Sequence, residues 1–281
     1  MPPIETPPCR LYAILAREAP IGVIFRRGPS KHTQIIRWDT ATDTFTHGKW
    51  FKGRLFWEHS DLSPDGTLMI YAAQNMSAHT RASSYGSHWT AISKPPYLWA
   101  LALWPNHSGW VGGGLFLSNR DVWLDGVALE PHPDHKPVGL NVNNERRGDP
   151  HQRERRTRDG WEYVHTLRKK QRFIVGGMIT IQDGHRKSAP QGPLLLAVTT
   201  TYSNFGKPDA YAIETSHGEN TPLSGVEWAD WDQHGRLVYA RGGKLFAMNV
   251  SEGFPGMEVE LADFNAAKPE YVETPAWARV W

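Results

Sequence analysis

The sequence predicts an all-β fold built from repeated four-stranded sheets. Three observations carry that expectation. Runs of four to eight branched and aromatic residues alternate with clusters of Gly, Pro, Asn and Asp. Helical periodicity is nearly absent along the 281 residues. A strand–turn–strand pattern centred on a glycine occurs twice, at Gly66 and at Gly235.

In chain order, the expected strands are Leu11 to Leu15, Gly22 to Arg26, Thr33 to Trp38, Arg54 to Glu58, Thr67 to Ala72, Tyr97 to Trp104, Gly114 to Ser118 and Asp121 to Leu124. Phe173 to Thr180, Leu194 to Thr200, Ala210 to Glu214, Arg236 to Ala240 and Lys244 to Met248 complete thirteen. That many short strands fit a repeating sheet protein better than one sandwich, which with long insertions is the structural alternative. Around the first turn glycine stands Asp61-Leu62-Ser63-Pro64-Asp65-Gly66-Thr67-Leu68, and around the second Asp230-Trp231-Asp232-Gln233-His234-Gly235-Arg236-Leu237. Each copy has an Asp five residues before the glycine and an apolar residue two after it. The glycine supplies positive φ for a tight turn, and the repeated Asp is expected to cap that turn.

The two glycines lie 169 residues apart, four periods of roughly 42, and such a period is that of four-stranded propeller blades. Asp61 to Tyr71 resembles the Ser-Pro-Asp-Gly repeat of TolB-like propellers, and Ile35-Ile36-Arg37-Trp38-Asp39-Thr40 resembles the Trp-Asp end of a WD40 third strand. Trp38-Asp39 lacks the upstream Gly-His dipeptide of that family, and the middle of the chain has no clean copy. The resemblance implies a single propeller-like domain over 1–281, with five or six blades over 10–263. Residues 264–281, ending on Trp277 and Trp281, are expected to strap across the domain, a free tail being the alternative.

Composition narrows the function classes. With 40% hydrophobic and 21% charged residues the chain can bury a core, and 31 Lys plus Arg against 29 Asp plus Glu leave it nearly neutral. A single Cys excludes an internal disulfide framework and a Cys-rich zinc module. No apolar run approaches the ~20 residues of a membrane helix, and the Pro-rich, acidic start does not read as a signal peptide. A cytoplasmic location is expected, without membrane association.

Positive charge concentrates in one place. From Glu145 to Lys187 there are 12 Lys or Arg against six acids, and Asn143 to Asp159 has no core-forming residue. Residues 143–160 are therefore expected to form a long exposed basic loop. Clustered Arg could hold a phosphate backbone, but Glu145, Asp149, Glu154 and Asp159 can pair locally, and only Trp161 and Tyr163 offer stacking surfaces.

Chemical motifs are few. His132-Pro133-Asp134-His135 matches no metal spacing and reads as a loop, so no metal is expected. Gly109-Trp110-Val111-Gly112-Gly113-Gly114 lacks the Lys and helix of a phosphate loop, and no cofactor is expected. There is no Gly-x-Ser-x-Gly elbow, which disfavours serine hydrolysis, and no catalytic residue is assigned. A glycoside hydrolase using Asp61 with Asp230, or Asp121 with Glu162, stands as an alternative.

The leading expectation is a binding scaffold that holds a protein partner, acidic in character, on loops at one rim. Loops Asn75 to Trp89 and Glu145 to Trp161 would carry Tyr85, Trp89 and Trp161 as anchors and Arg146, Arg147, Arg153, Arg155 and Arg156 as steering charges. Nucleic-acid binding through 145–187 is a further alternative.

Overall fold

A computed structural model describes residues 7–28, 31–106, 112–145, 151–171, 178–190, 194–202, 209–215, 218–251 and 254–281. The all-β expectation holds. Among the described residues the strands group into five sheets, and consecutive antiparallel strands build four of them, the blade pattern of a propeller-like fold. The chain divides into two compact units, one comprising Met1–Arg155 with Phe264–Trp281 and the other Arg156–Asp263.

The first unit holds three sheets. β1 (Arg10–Leu15), β2 (Ile21–Arg27), β3 (His32–Asp39) and β4 (Thr44–Lys52) form the first. The second contains β5 (Arg54–Leu62), β6 (Met69–Gln74), β7 (His88–Ser93) and β8 (Ala102–Asn106), with α1 (Ala78–Arg81) in the β6–β7 connection. The third has β9 (Gly114–Phe116), β10 (Asp121–Leu124) and β11 (Asn141–Asn143), in the order β11-β10-β9. The middle sheet is buried on both faces, because side chains alternate across a strand. Met69, Tyr71, Ala91 and Leu103 pack with Val23, Phe25 and Ile35 of the first sheet. Ile70, Ile92, Ala102 and Trp104 pack with Phe116, Val122 and Leu124 of the third.

The second unit follows α2 (His151–Arg158), whose residues from Arg156 onward belong to it. β12 (Glu162–Gln171), β13 (Met178–Ser188), β14 (Leu195–Tyr202), β15 (Ala210–Glu214) and β16 (Asn220–Pro222) make a five-stranded sheet. β17 (Val226–Trp231), β18 (Leu237–Arg241), β19 (Lys244–Ser251) and β20 (Phe254–Asp263) make a four-stranded one. Leu196, Val198, Tyr211, Ile213, Ala229, Trp231, Leu237 and Tyr239 fill the core of this unit.

The repeated turn is real, but its capping differs from expectation. Gly66 (φ 72°) and Gly235 (φ 77°) close equivalent turns, donating to Ser63 O at 2.8 Å and to Asp232 O at 3.0 Å. A Cβ on Gly66 would stand 2.9 Å from the Cβ of Ile21, so space as well as backbone angle requires glycine. The turns are capped two residues after the repeated Asp: Asp232 Oδ1 accepts from the amides of His234 and Arg236, and Ser63 Oγ accepts from that of Leu68. Asp61 and Asp230 tie neighbouring strands instead. Buried Asp61 accepts from the Phe116 amide of β9 at 2.7 Å, and Asp230 receives Lys187 Nζ of β13 at 2.6 Å.

The terminal segment lies on the first unit. Phe264 packs edge-on to Phe45 at 5.4 Å, and Asn265 Oδ1 accepts from the Cys9 amide at 3.0 Å. Trp281 packs against the cluster containing Trp104. Trp277 leans edge-on against Tyr97 at 5.6 Å and stays more than half exposed. Buried Arg26 fastens the beginning of the segment, donating to the carbonyls of Phe264, Asn265 and Ala267.

Candidate functional site

The β6–β7 connection is ordered by its own polar side chains. Ser77 caps α1, accepting from the Thr80 amide at 3.2 Å, and Ser83 Oγ donates to Thr80 O at 2.6 Å. The Asn75 amide donates to Ser87 O at 2.9 Å and closes the loop. A second segment, 129–135, is laid on the outer edge of β8. Leu103 donates to His135 O at 3.0 Å and His132 donates to Leu103 O at 2.8 Å, while Trp104 Nε1 reaches Leu129 O at 3.2 Å.

The two segments meet. Ser84 Oγ lies 2.7 Å from His132 Nε2, and Tyr85 packs edge-on between Trp89 (5.3 Å) and His132 (6.5 Å). His135 lies 5.6 Å from His132, and Phe51 supports Trp89 from below at 5.8 Å. A half-exposed phenol, two imidazoles and an exposed hydroxyl therefore sit on a sheet whose own residues are buried.

Ser84 and His132 have the separation of a nucleophile and its base, yet the hydrogen bonding opposes that role. The Asp134 amide donates to His132 Nδ1 at 3.3 Å, which places the neutral ring's proton on Nε2. Nε2 then donates to Ser84 Oγ and cannot accept its proton. The Asp134 carboxylate, 4.0 Å from Nδ1 and largely exposed, does not reverse that tautomer. The pair works as a clasp between loops.

A second polar cluster surrounds the start of α2. Trp57 to Ser60 stand opposite the single β6 residue Tyr71, so β5 bulges there. Arg155 Nη1 donates to the bulge carbonyls of Trp57 (3.0 Å) and Ser60, and Nη2 donates to Tyr12 Oη at 2.6 Å. His151, one turn earlier on the helix, is 3% exposed. Its Nε2 lies 2.8 Å from Gly114 O, and its ring packs between Trp123 (6.0 Å) and His59 (5.5 Å). Burial, reinforced by the Arg155 charge, pushes the His151 pKa down to about 4, so the ring is neutral. His59 Nδ1 lies 3.5 Å from Asp125 Oδ2. Glycine is required beside this cluster: a Cβ on Gly113 would lie 1.7 Å from His59 O.

The eight expected anchor and steering residues separate sharply. Arg146 and Arg147 lie outside the described residues. The expected exposed basic loop contains a helix, α2, that turns His151, Arg155 and Arg156 inward. Arg156 donates to Thr200 Oγ1 and Asp209 Oδ2, each at 2.6 Å, within the second unit. Arg153 is half-buried. Trp89 and Trp161 are core residues, the latter with Lys187 Nζ 5.8 Å from its ring. Tyr85 alone of the aromatic three keeps substantial surface. Sequence reasoning missed His59, Asp125, Ser84 and the inward role of His151. The one available signal was the i, i+4 spacing of His151 and Arg155.

The acids considered for hydrolysis are engaged elsewhere. Asp121 accepts from Ser118 Oγ at 2.6 Å and Asn141 Nδ2 at 2.9 Å, which hold its carboxyl below the ordinary carboxylate range. Asp61 and Asp230 make the strand ties described above, and Glu162 is exposed. Among the described residues, no group of three or more His, Cys, Asp or Glu is arranged to hold a metal ion. No described helix is long and apolar enough to cross a membrane.

No family model and no curated protein matches the chain. Among solved structures, the β-propeller domain of the Trilobed protease from Pyrococcus furiosus aligns with 92% of this chain and 100% of its own length, at 10% identity and a TM-score of 0.28.

Proposed function

We propose that this chain is a binding scaffold that holds a protein partner on the surface formed by the 75–89 loop and the 129–135 segment. The carrying observation is the meeting of Tyr85, Ser84, His132 and His135 on a doubly buried sheet. Loops fixed to a rigid scaffold are where recognition surfaces are built, and a half-exposed tyrosine with polar neighbours is the composition of an anchor. The resemblance of the repeats to WD40 and TolB-like sequences points the same way, while the site rather than the fold carries the reading. An acidic partner would meet the imidazoles here. Arg155 and Arg156, committed to interior acceptors, would not steer it.

Capture by tagged full-length chain, after nuclease treatment, tests the proposal against Tyr85→Ala/His132→Asn. Wild type is expected to retain a stoichiometric protein that the double variant loses while its circular dichroism is unchanged. Equal capture by both chains, or capture that disappears with nuclease alone, would contradict it.

A further inference from the structure

An unpaired strand edge offers backbone donors and acceptors to any extended chain, and proteins normally shield it with lysines, prolines, short strands or a covering loop. Three edges here carry such protection. β4 has Lys49 and Lys52 along it, and segment 129–135 bonds to the outer side of β8. β16 has three residues and ends in Pro222. β20 is ten residues long and lies at the end of its sheet beside β19; its shields, Pro255 and two register shifts against β19, sit on either side of Glu258 to Glu260, and it contains no Lys or Arg. Met257 and Val259 are 83% and 50% exposed, alternating with Glu258 and Glu260.

The acids on this edge are already neutralised from within the sheet. Arg241 Nη2 lies 2.7 and 3.0 Å from the two oxygens of Glu258, to which Tyr239 Oη also donates. Lys244 Nζ is 2.9 Å from Glu260 and 3.4 Å from Asp263. The usual electrostatic guard against self-association is thereby reduced. The sequence Met257-Glu258-Val259-Glu260-Leu261 reads apolar, acid, apolar, acid, apolar in both directions. Antiparallel pairing about a two-fold axis at Val259 would therefore set apolar residues opposite apolar ones, and each glutamate opposite a glutamate that carries its own cation.

We propose that β20 is a homodimerisation edge, pairing antiparallel with β20 of a second copy of this chain and joining two four-stranded sheets into one. Sedimentation equilibrium of the full chain across roughly 1–100 µM, at low and high salt, tests it. The expected result is a concentration-dependent rise from 31.7 kDa toward twice that mass. Met257→Lys/Val259→Lys, at two exposed positions, should leave the mass at the monomer value with an unchanged circular dichroism spectrum. Amide exchange provides an independent reading on the unmodified chain: β20 amides should gain protection as concentration rises, with β4 and β16 unaffected. A monomer throughout the range, a dimer indifferent to the two lysines, growth beyond the dimer, or β20 exchange independent of concentration would overturn the proposal.

Discussion

Replacing Arg26 with Met is expected to destabilise the first unit by about 3 kcal/mol and to release the terminal segment to protease. Arg26 is 1% exposed and carries its charge into the interior without a described carboxylate partner. Its guanidinium satisfies the carbonyls of Gly28 (2.7 Å), Ala267 (3.0 Å), Phe264 (3.2 Å) and Asn265 (3.4 Å), and lies 5.0 Å from the Trp50 ring. Met approximates the volume but donates nothing, so buried carbonyls lose their partners, and each such loss costs about 1–3 kcal/mol before water and relaxation offset part of it. Lys should recover only part of the stability, because one ammonium cannot span acceptors that a planar fork reaches together. Urea denaturation of the three proteins measures the order Arg, Lys, Met. Chymotryptic cleavage near Tyr271 and Trp277 should rise in the same order. A Met variant within 0.5 kcal/mol of wild type would show that the segment is held by its aromatic contacts alone.

The second large effect is on pH dependence. His151 is held neutral at a pKa of about 4 against an ordinary 6.5, by burial first and by the Arg155 charge second. Below pH 6.5 the unfolded chain takes up a proton that the folded chain refuses until pH 4. Stability is therefore complete above pH 6.5, falls between 6.5 and 4, and from this residue falls no further below that. The loss is about 3 kcal/mol. The informative quantity is the difference between wild type and His151→Gln. At pH 7.5 the variant should be less stable, having lost the ring packed between Trp123 and His59. By pH 4 the gap should close or reverse, because Gln carries no proton to bury. A difference constant from pH 7.5 to 4 would mean that His151 is open to protonation in the folded state.

Much of the fold was legible because its strands bury branched and aromatic residues. Val23, Ile35, Ile70, Leu103, Val122 and Leu237 all lie in expected strands and in the cores. Some strands escaped because their exposed faces break that signal, whereas β7 (His88–Ser93) and β17 (Val226–Trp231) escaped although largely buried. β20 alternates acids with apolar residues at a free edge, and β12 begins Glu162-Tyr163-Val164 with all three exposed. Asp61 and Asp230 were visible as a repeat, but their tie to a neighbouring strand depends on pairing between segments far apart in sequence. The helix α2 was invisible for a different reason. Its buried face is made of His151 and Arg155, which no hydrophobic periodicity registers, and their acceptors are backbone carbonyls and a tyrosine supplied by distant strands. The Ser84–His132 clasp spans 48 residues and has no local signature.

Labour is divided within the chain: Arg155 and Arg156 of the arginine-rich helix face inward to structural acceptors, leaving recognition to the Tyr85 loop surface. Arginine-directed dicarbonyl labelling of the native full chain, with modified peptides quantified over time, tests that division directly. Arg155 and Arg156, 4% and 7% exposed, should react only as fast as the buried Arg26, well behind exposed Arg54, Arg81 and Arg120. Modification of Arg155 and Arg156 at the rate of the exposed group would contradict it, returning the basic segment to the surface as a binding element.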